Sequence, residues 1–288
     1  MIKTMLKFCL TLLLTLILGF SNTTYAANAK PSGNLSFSTI AQISNSSIAD
    51  SALDLEQIRD WRQQAFAATN AADYATAEQY WTKLLEVLPN EPALWSNRGN
   101  VRVSQNHLQA ALADYNRAIE LAPDVPDPYL NRGAALEGLG QWEAAIADYD
   151  RVLELSPEDA AAFNNRGNAK AGLEDWQEAL ADYNRAIELA PDFAIAQDNY
   201  ALVLYQTGQQ TTAIQKMRNL VRKYPQFADA RAALTAALWV NGNRGEAESN
   251  WFAVVGLDKR YKDLDWVAHI RRWPPSMVEA LNKFLTLN

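Results

Sequence analysis

The sequence predicts an all-α chain, a solenoid of antiparallel helix pairs. Three observations carry this. Prolines stand at 89, 123, 157, 191 and 225, a step of 34 residues each time, and self-similarity at such a period marks an array of small repeated units. Alanine recurs in one register at 77, 111, 145, 179, 213 and 247. A large side chain follows each alanine by four, as Trp81, Tyr115, Tyr149, Tyr183, Met217 and Trp251.

In chain order, residues 1–29 read as a secretory signal peptide. Lys3 and Lys7 give a positive start, Phe8 to Phe20 is apolar apart from Thr11 and Thr15, and small residues follow at Thr24-Tyr25-Ala26 or Ala27-Asn28-Ala29. The apolar stretch is short beside the roughly 20 residues of a membrane span, which leaves an uncleaved anchor as the alternative. Cys9, the only cysteine, lies inside it. The residues before it, Leu6-Lys7-Phe8, are unlike a lipoprotein cleavage site. The mature chain then has no thiol for disulfides, metal binding or nucleophilic attack. Residues 30–50 are rich in Ser and Asn and read as a flexible linker.

The repeat domain is expected over 51–261, with units at about 58–91, 92–125, 126–159, 160–193 and 194–227, and a degenerate sixth at about 228–261. Each unit's first helix has an aromatic column, Trp61, Trp95, Tyr129 and Phe163, followed after four residues by Ala65, Gly99, Gly133, Gly167 and Ala201. The small residue lets a second helix approach. The alanine column supplies the matching face, and the large residue four further on fills the space between units. Proline then stops the second helix, having no N–H and clashing with the preceding turn. The fifth unit has Gln197 at the aromatic position, the sixth has Arg231 there and Lys259 where proline belongs. A degenerate last unit suits the end of a stack that faces solvent.

These columns resemble the tetratricopeptide repeat (TPR) family over roughly residues 58–261. The resemblance implies a TPR α-solenoid, a right-handed superhelix of helix pairs with a concave, protein-binding groove. After the repeats, 262–288 is expected to be a capping tail. Pro274-Pro275 interrupts any helix, and Ser276 with Glu279 three residues on forms a capping-box start. Met277, Ala280, Leu281 and Phe284 fall on one face of the helix that follows. Trp266 and Trp273 either pack or anchor a partner; a self-associating protein held through this tail is the second reading of function. Export, repeats and the tail "DLDWVAHIRRWPP" together are similar to chloroplast thylakoid-lumen TPR-like proteins and their cyanobacterial relatives. That implies a periplasmic or thylakoid-lumen address and a role in upkeep of a photosynthetic complex.

Chemistry is hard to place. His107 and His269 are far apart and in no metal-ligand spacing; His107 reads as a surface residue, His269 as a candidate for burial. No phosphate-binding glycine loop or nucleophile elbow is present. Asp114, Asp148 and Asp182 recur at the period, so they serve the unit. No enzyme, cofactor, metal site or small-molecule substrate is expected. The net charge of −7 argues against nucleic acid and against an anionic membrane surface. Membrane contact would come only through a partner or an uncleaved signal segment.

A protein or peptide partner is therefore expected. The TPR resemblance places groove positions at Arg59, Arg62, Phe66 and Thr69 in the first unit, and at Ser96 and Asn100 in the second. It continues with Leu130 in the third, Asn164 and Asn168 in the fourth, Asp198, Leu202 and Tyr205 in the fifth, and Asp229, Ala232, Ala236 and Trp239 in the sixth. Candidate binding residues are Arg62, Phe66, Asn100, Asn131, Asn164, Asn165, Asn168, Tyr205 and Trp239. Arg98, Arg132 and Arg166 read as structural. Asn97, Asn131 and Asn165, which recur beside those arginines, read either as groove contacts to a bound backbone or as a ladder between units. The basic clamp by which some TPR proteins hold acidic chaperone tails is expected to be absent, because Ser96, Ala161 and Asn165 stand at its basic positions, although Asn100 and Asn131 match it.

Overall fold

The structure, a computed structural model, describes residues 48–287. The expected signal peptide, Cys9 and most of the linker lie outside the described residues. Thirteen α-helices make up the described residues, and no strand occurs among them. They fall into two compact units, one ending at Gln141 and the other beginning at Trp142.

The first unit holds α1 (Ile48–Asn70), α2 (Tyr74–Val87), α3 (Pro92–Ser104), α4 (Leu108–Leu121) and α5 (Pro126–Gly138). Sequential helices pack on one another as hairpins. The helix α1 is 23 residues long against 13 for α3. It therefore begins three residues ahead of the expected domain boundary at 51. The second unit holds α6 (Trp142–Leu155), α7 (Ala160–Gly172), α8 (Trp176–Leu189), α9 (Ala194–Gln206), α10 (Gln210–Lys223), α11 (Ala228–Val240) and α12 (Arg244–Leu257). A 3-10 turn at Lys259–Lys262 and a π turn at Trp266–Ile270 then lead to α13 (Pro275–Leu287). All-α helix pairs of this kind are the fold the sequence predicts.

The small-residue column does what sterics require. A Cβ on Gly99 would lie 2.6 Å from the Tyr115 ring, and one on Gly167 would lie 2.7 Å from the Tyr183 ring. Both tyrosines are buried. Gly167→Ala is expected to destabilise the second unit by about 1–3 kcal/mol through overpacking, read as a lower urea midpoint at unchanged slope.

The proline column has a second role. Trp95 Nε1–H donates to the Pro89 carbonyl at 2.8 Å, and the Tyr129 hydroxyl donates to that of Pro123 at 3.1 Å. The two positions that break the aromatic pattern keep this bond: Gln197 donates to Pro191 at 2.6 Å and Arg231 to Pro225 at 2.7 Å. What the column preserves is a donor that reaches back six residues. Phe163 has none and keeps only the stack beneath the following arginine, Arg166, that Trp95 and Tyr129 also make with Arg98 and Arg132.

The turn inside each helix pair has its own column, unmarked by residue type. Ala72, Asn106, Gly140, Glu174, Gly208 and Gly242 all have positive φ, the left-handed bend that lets a chain reverse between two helices.

The recurring charges are structural, as expected. Arg98 holds Asp114 with two bonds of 3.0 and 2.7 Å and reaches Thr82 of the preceding repeat. Arg166 does the same with Asp182 and Asp150. Arg132 bonds Asn116 at 2.7 Å. Each arginine thus links its own repeat to the one before. Such buried, bidentate pairs fix register, which is where charge-assisted bonds are strongest.

Candidate protein-binding face

The first helices of neighbouring repeats lie side by side, α3 with α5, and α9 with both α7 and α11. Their shared face carries the residues expected to meet a partner. The two units treat that face differently.

In the first unit it is open among the described residues. Phe66 is 47% exposed and rests edge-on against the buried Trp81 ring, with centroids 4.9 Å apart. Arg62 is half-buried on the same helix, one turn earlier. Asn100 accepts the Tyr115 hydroxyl at 2.7 Å on its carbonyl oxygen, and its amide N–H groups have no partner among the described residues. The tyrosine, itself pinned against Gly99, therefore orients the amide and leaves its donors on offer. Asn131 is half-buried on α5.

In the second unit the corresponding asparagines bond one another. Asn199 donates to Asn164 at 3.1 Å and to Asn168 at 3.0 Å. Asn164 donates to Asn165 at 3.1 Å, and the Tyr183 hydroxyl donates to Asn168 at 2.9 Å. Asn164 is only 3% exposed. Asn164 and Asn168, expected to meet a partner, thus bond across to Asn199 of the fifth repeat, while Asn165 bonds Asn164 within the fourth. Asn199, which joins them, is absent from the expected site because it lies one residue past a groove position.

Tyr205 and Trp239, expected to face a partner, are covered. Tyr205 is 4% and Trp239 8% exposed. The reason is the tail. Helix α13 lies on α11 and α9, the first helices of the last two repeats. Its Met277, Leu281 and Phe284 are fully buried, with Phe284 edge-on to Trp239 at 5.2 Å. An apolar end of the face meets an apolar helix, which removes both from water.

The stretch before α13 is anchored by charge. Arg271 donates to Asp198 at 3.3 Å, to Asn199 at 3.2 Å and, over a short contact, to Asp229. Asp229 also accepts the Tyr261 hydroxyl at 2.7 Å and the Trp273 indole N–H at 2.9 Å. Burial pushes the Asp198 carboxyl well above the usual range, and the neighbouring Asp229 adds to this. Burial would raise Asp229 as well, but the Arg271 charge and the bonds it accepts bring it below the ordinary value. The two carboxyls are thus pushed in opposite directions around one guanidinium. Sequence reasoning placed both aspartates in the groove without pairing them with Arg271. The available signal was an acid at 198 in a column otherwise Arg62, Ser96, Leu130, Asn164 and Ala232, with a tail that carries Arg-Arg-Trp.

Other tail expectations change as well. The capping box does not form: α13 begins at Pro275, the Ser276 N–H goes to Gln206 at 2.9 Å, and the Ser276 hydroxyl is buried without a partner among the described residues. Proline suits a first helical position because its missing N–H would be unused there. His269 is exposed and close to Asp265, not buried. Trp273 is buried, and Trp266 lies edge-on to Tyr261 and beneath the Arg260 guanidinium. Both tryptophans expected to be able to hold a second copy are thus packed within their own chain.

Among the described residues no group of three or more His, Cys, Asp or Glu is placed to hold a metal ion. None of their helices is long and apolar enough to cross a membrane.

Known proteins add the following. A family profile described as TPR repeat matches residues 99–140 and 138–174. Two described as tetratricopeptide repeat match 160–193 and 196–226. No curated protein sequence matches the chain. A tetratricopeptide repeat protein from Parabacteroides merdae is similar in structure at 19% identity and TM-score 0.62, over 81% of this chain and 100% of that one. MamA from Desulfovibrio magneticus is similar at 18% identity and TM-score 0.54, over 57% of this chain and 93% of that one. The APC/C hetero-tetramer Cut9-Hcn1 gives 15% identity and TM-score 0.63, over 78% of this chain and 42% of the other. At these identities the likeness is one of fold.

Proposed function

We propose that this tetratricopeptide-repeat protein binds a segment of another protein on the first-helix face of its amino-terminal unit, and acts there as a scaffold or assembly factor. TPR domains bind peptides and proteins. One observation carries the choice of face. Among the described residues nothing covers the surface bearing Phe66 and Asn100, whereas its counterpart on α9 and α11 lies beneath the chain's own tail. Phe66 supplies an aromatic contact with a rigid backing, and the oriented Asn100 amide supplies donors for a backbone carbonyl. Arg62 adds positive charge at the rim. No catalytic step belongs to this reading.

The working place of the protein is proposed to be an exported compartment, periplasm or thylakoid lumen, on the strength of the charged and apolar pattern in residues 1–29. A link to upkeep of a photosynthetic complex is supported by the resemblance of the Trp-rich tail to lumenal TPR-like proteins.

The test is affinity capture with the mature chain from its own exported fraction, followed by mass spectrometry. Phe66→Ala combined with Asn100→Ala is expected to lower recovery of the captured partner at least tenfold while far-UV circular dichroism stays unchanged. Equal recovery with the folded double variant would place the partner elsewhere.

A further inference from the structure

The tail engages the second unit as a ligand does. Three anchors arrive in sequence order: the Arg271 guanidinium between Asp198 and Asp229, the Trp273 indole on Asp229, and then the apolar side of α13 on α11. A few inserted side chains of this kind dominate protein recognition, with arginine and tryptophan prominent among them.

The fit is incomplete. Five buried side-chain polar atoms lack a partner among the described residues, and three of them, Asp198 Oδ1, Trp266 Nε1 and Ser276 Oγ, belong to the tail or lie beneath it. A buried polar atom without a partner keeps its full desolvation cost. Two carboxylates also share one inserted guanidinium. The second arginine, Arg272, does not join them; its guanidinium lies over the Trp142 ring at 4.8 Å, and its backbone takes a positive φ of 59°. The cradle thus has room in its hydrogen bonding for one more donor than the tail supplies.

We propose that the tail is a displaceable occupant, and that the α9–α11 face beneath it is a second partner site. Its ligand is a protein segment with an arginine two residues ahead of a tryptophan, followed by an amphipathic helix, which places a further basic group on Asp198. The proposal rests on the reading of the chain as a protein-binding module and adds a second site with its own ligand chemistry. A tethered tail competes at an effective concentration on the order of millimolar, so only a segment that bonds the cradle more completely displaces it.

The probe is a fluorescent synthetic peptide copying residues 263–287, titrated by anisotropy into the full mature chain. Wild-type protein is expected to bind it weakly. The Arg271→Ala chain, its own tail loosened, is expected to bind at least tenfold more tightly, and adding Asp198→Asn with Asp229→Asn is expected to abolish the gain. Equal affinity for wild type and Arg271→Ala, or no binding by a folded Arg271→Ala chain, overturns the proposal. Should Arg271→Ala fail to fold, hydrogen exchange on the wild-type chain decides. Amides of α13 are expected to exchange at least tenfold faster than those of α11, because a releasable element opens locally. Equal protection overturns the proposal. Capture through Phe66 and Asn100 is read on the other unit, so failure of either reading leaves the other's measurement intact.

Discussion

Trp81→Ala is expected to cost about 3–5 kcal/mol, the range for deleting a large buried aromatic. Trp81 is 1% exposed and sits at the centre of a cluster with Ala65, Ala77, Leu84 and Leu94. The neighbours belong to helices of two repeats, so the void cannot close without moving the joint between them. Trp81→Phe is expected to cost far less, since the indole N–H has no partner among the described residues and no hydrogen bond is lost. Arrays of this kind are held by nearest-neighbour contacts. Hydrogen exchange should therefore rise in α1–α4 and stay unchanged in α9–α12. Uniform loss of protection along the chain would show instead that the array unfolds as one block. The same substitution removes the ring that supports Phe66, so partner capture should fall with it.

Asp229→Ala is the second large effect, expected at about 3–5 kcal/mol, as for breaking a buried ion pair by removing one member. The Arg271 guanidinium, the Tyr261 hydroxyl and the Trp273 indole N–H all donate to this carboxylate. Removing it leaves all three short of an acceptor. The loss is bounded by the free energy that holds the tail, so it should show first as rapid exchange over α13. Asp198→Asn is expected to be nearly neutral, because burial already disfavours the charged form of this carboxyl.

The two carboxyls also carry opposite pH signatures. Asp198 is raised, so its contribution is fully present below the unfolded carboxylate value and is lost as pH rises through its folded one. Asp229 is lowered, so its contribution is present above the unfolded value and is lost as pH falls through its folded one. The Asp198→Asn chain should lose less thermal stability than wild type between weakly acidic and alkaline pH. An identical slope in both would mean that Asp198 is ionised in the folded chain.

The period of 34 residues made the helix pairs legible, because each column answers a local steric demand: glycine under tyrosine, alanine at the close approach, proline past a helix end. The left-handed turn column is not legible by residue type, because Ala72, Asn106 and Glu174 occupy it alongside the glycines. Gln197 and Arg231 break the aromatic column but keep its donor, which residue type alone does not show. The binding face was half legible. The register placed Phe66, Asn100, Tyr205 and Trp239 on first helices, but cover by the tail depends on Arg271 meeting residues some 70 positions earlier, and no periodicity reports a contact made once.

The tail's grip on Asp198 and Asp229 also restricts how the gene can change length. The cradle needs one acid from each of the last two repeats, held at a set separation. A copied repeat inserted between them would pull the pair apart, whereas a copy placed upstream of α9 would leave it whole. Residues 111–124 and 179–192 are identical, and both runs lie on the permissive side. A length change by duplication that keeps the cradle is thus confined to the repeats ahead of α9.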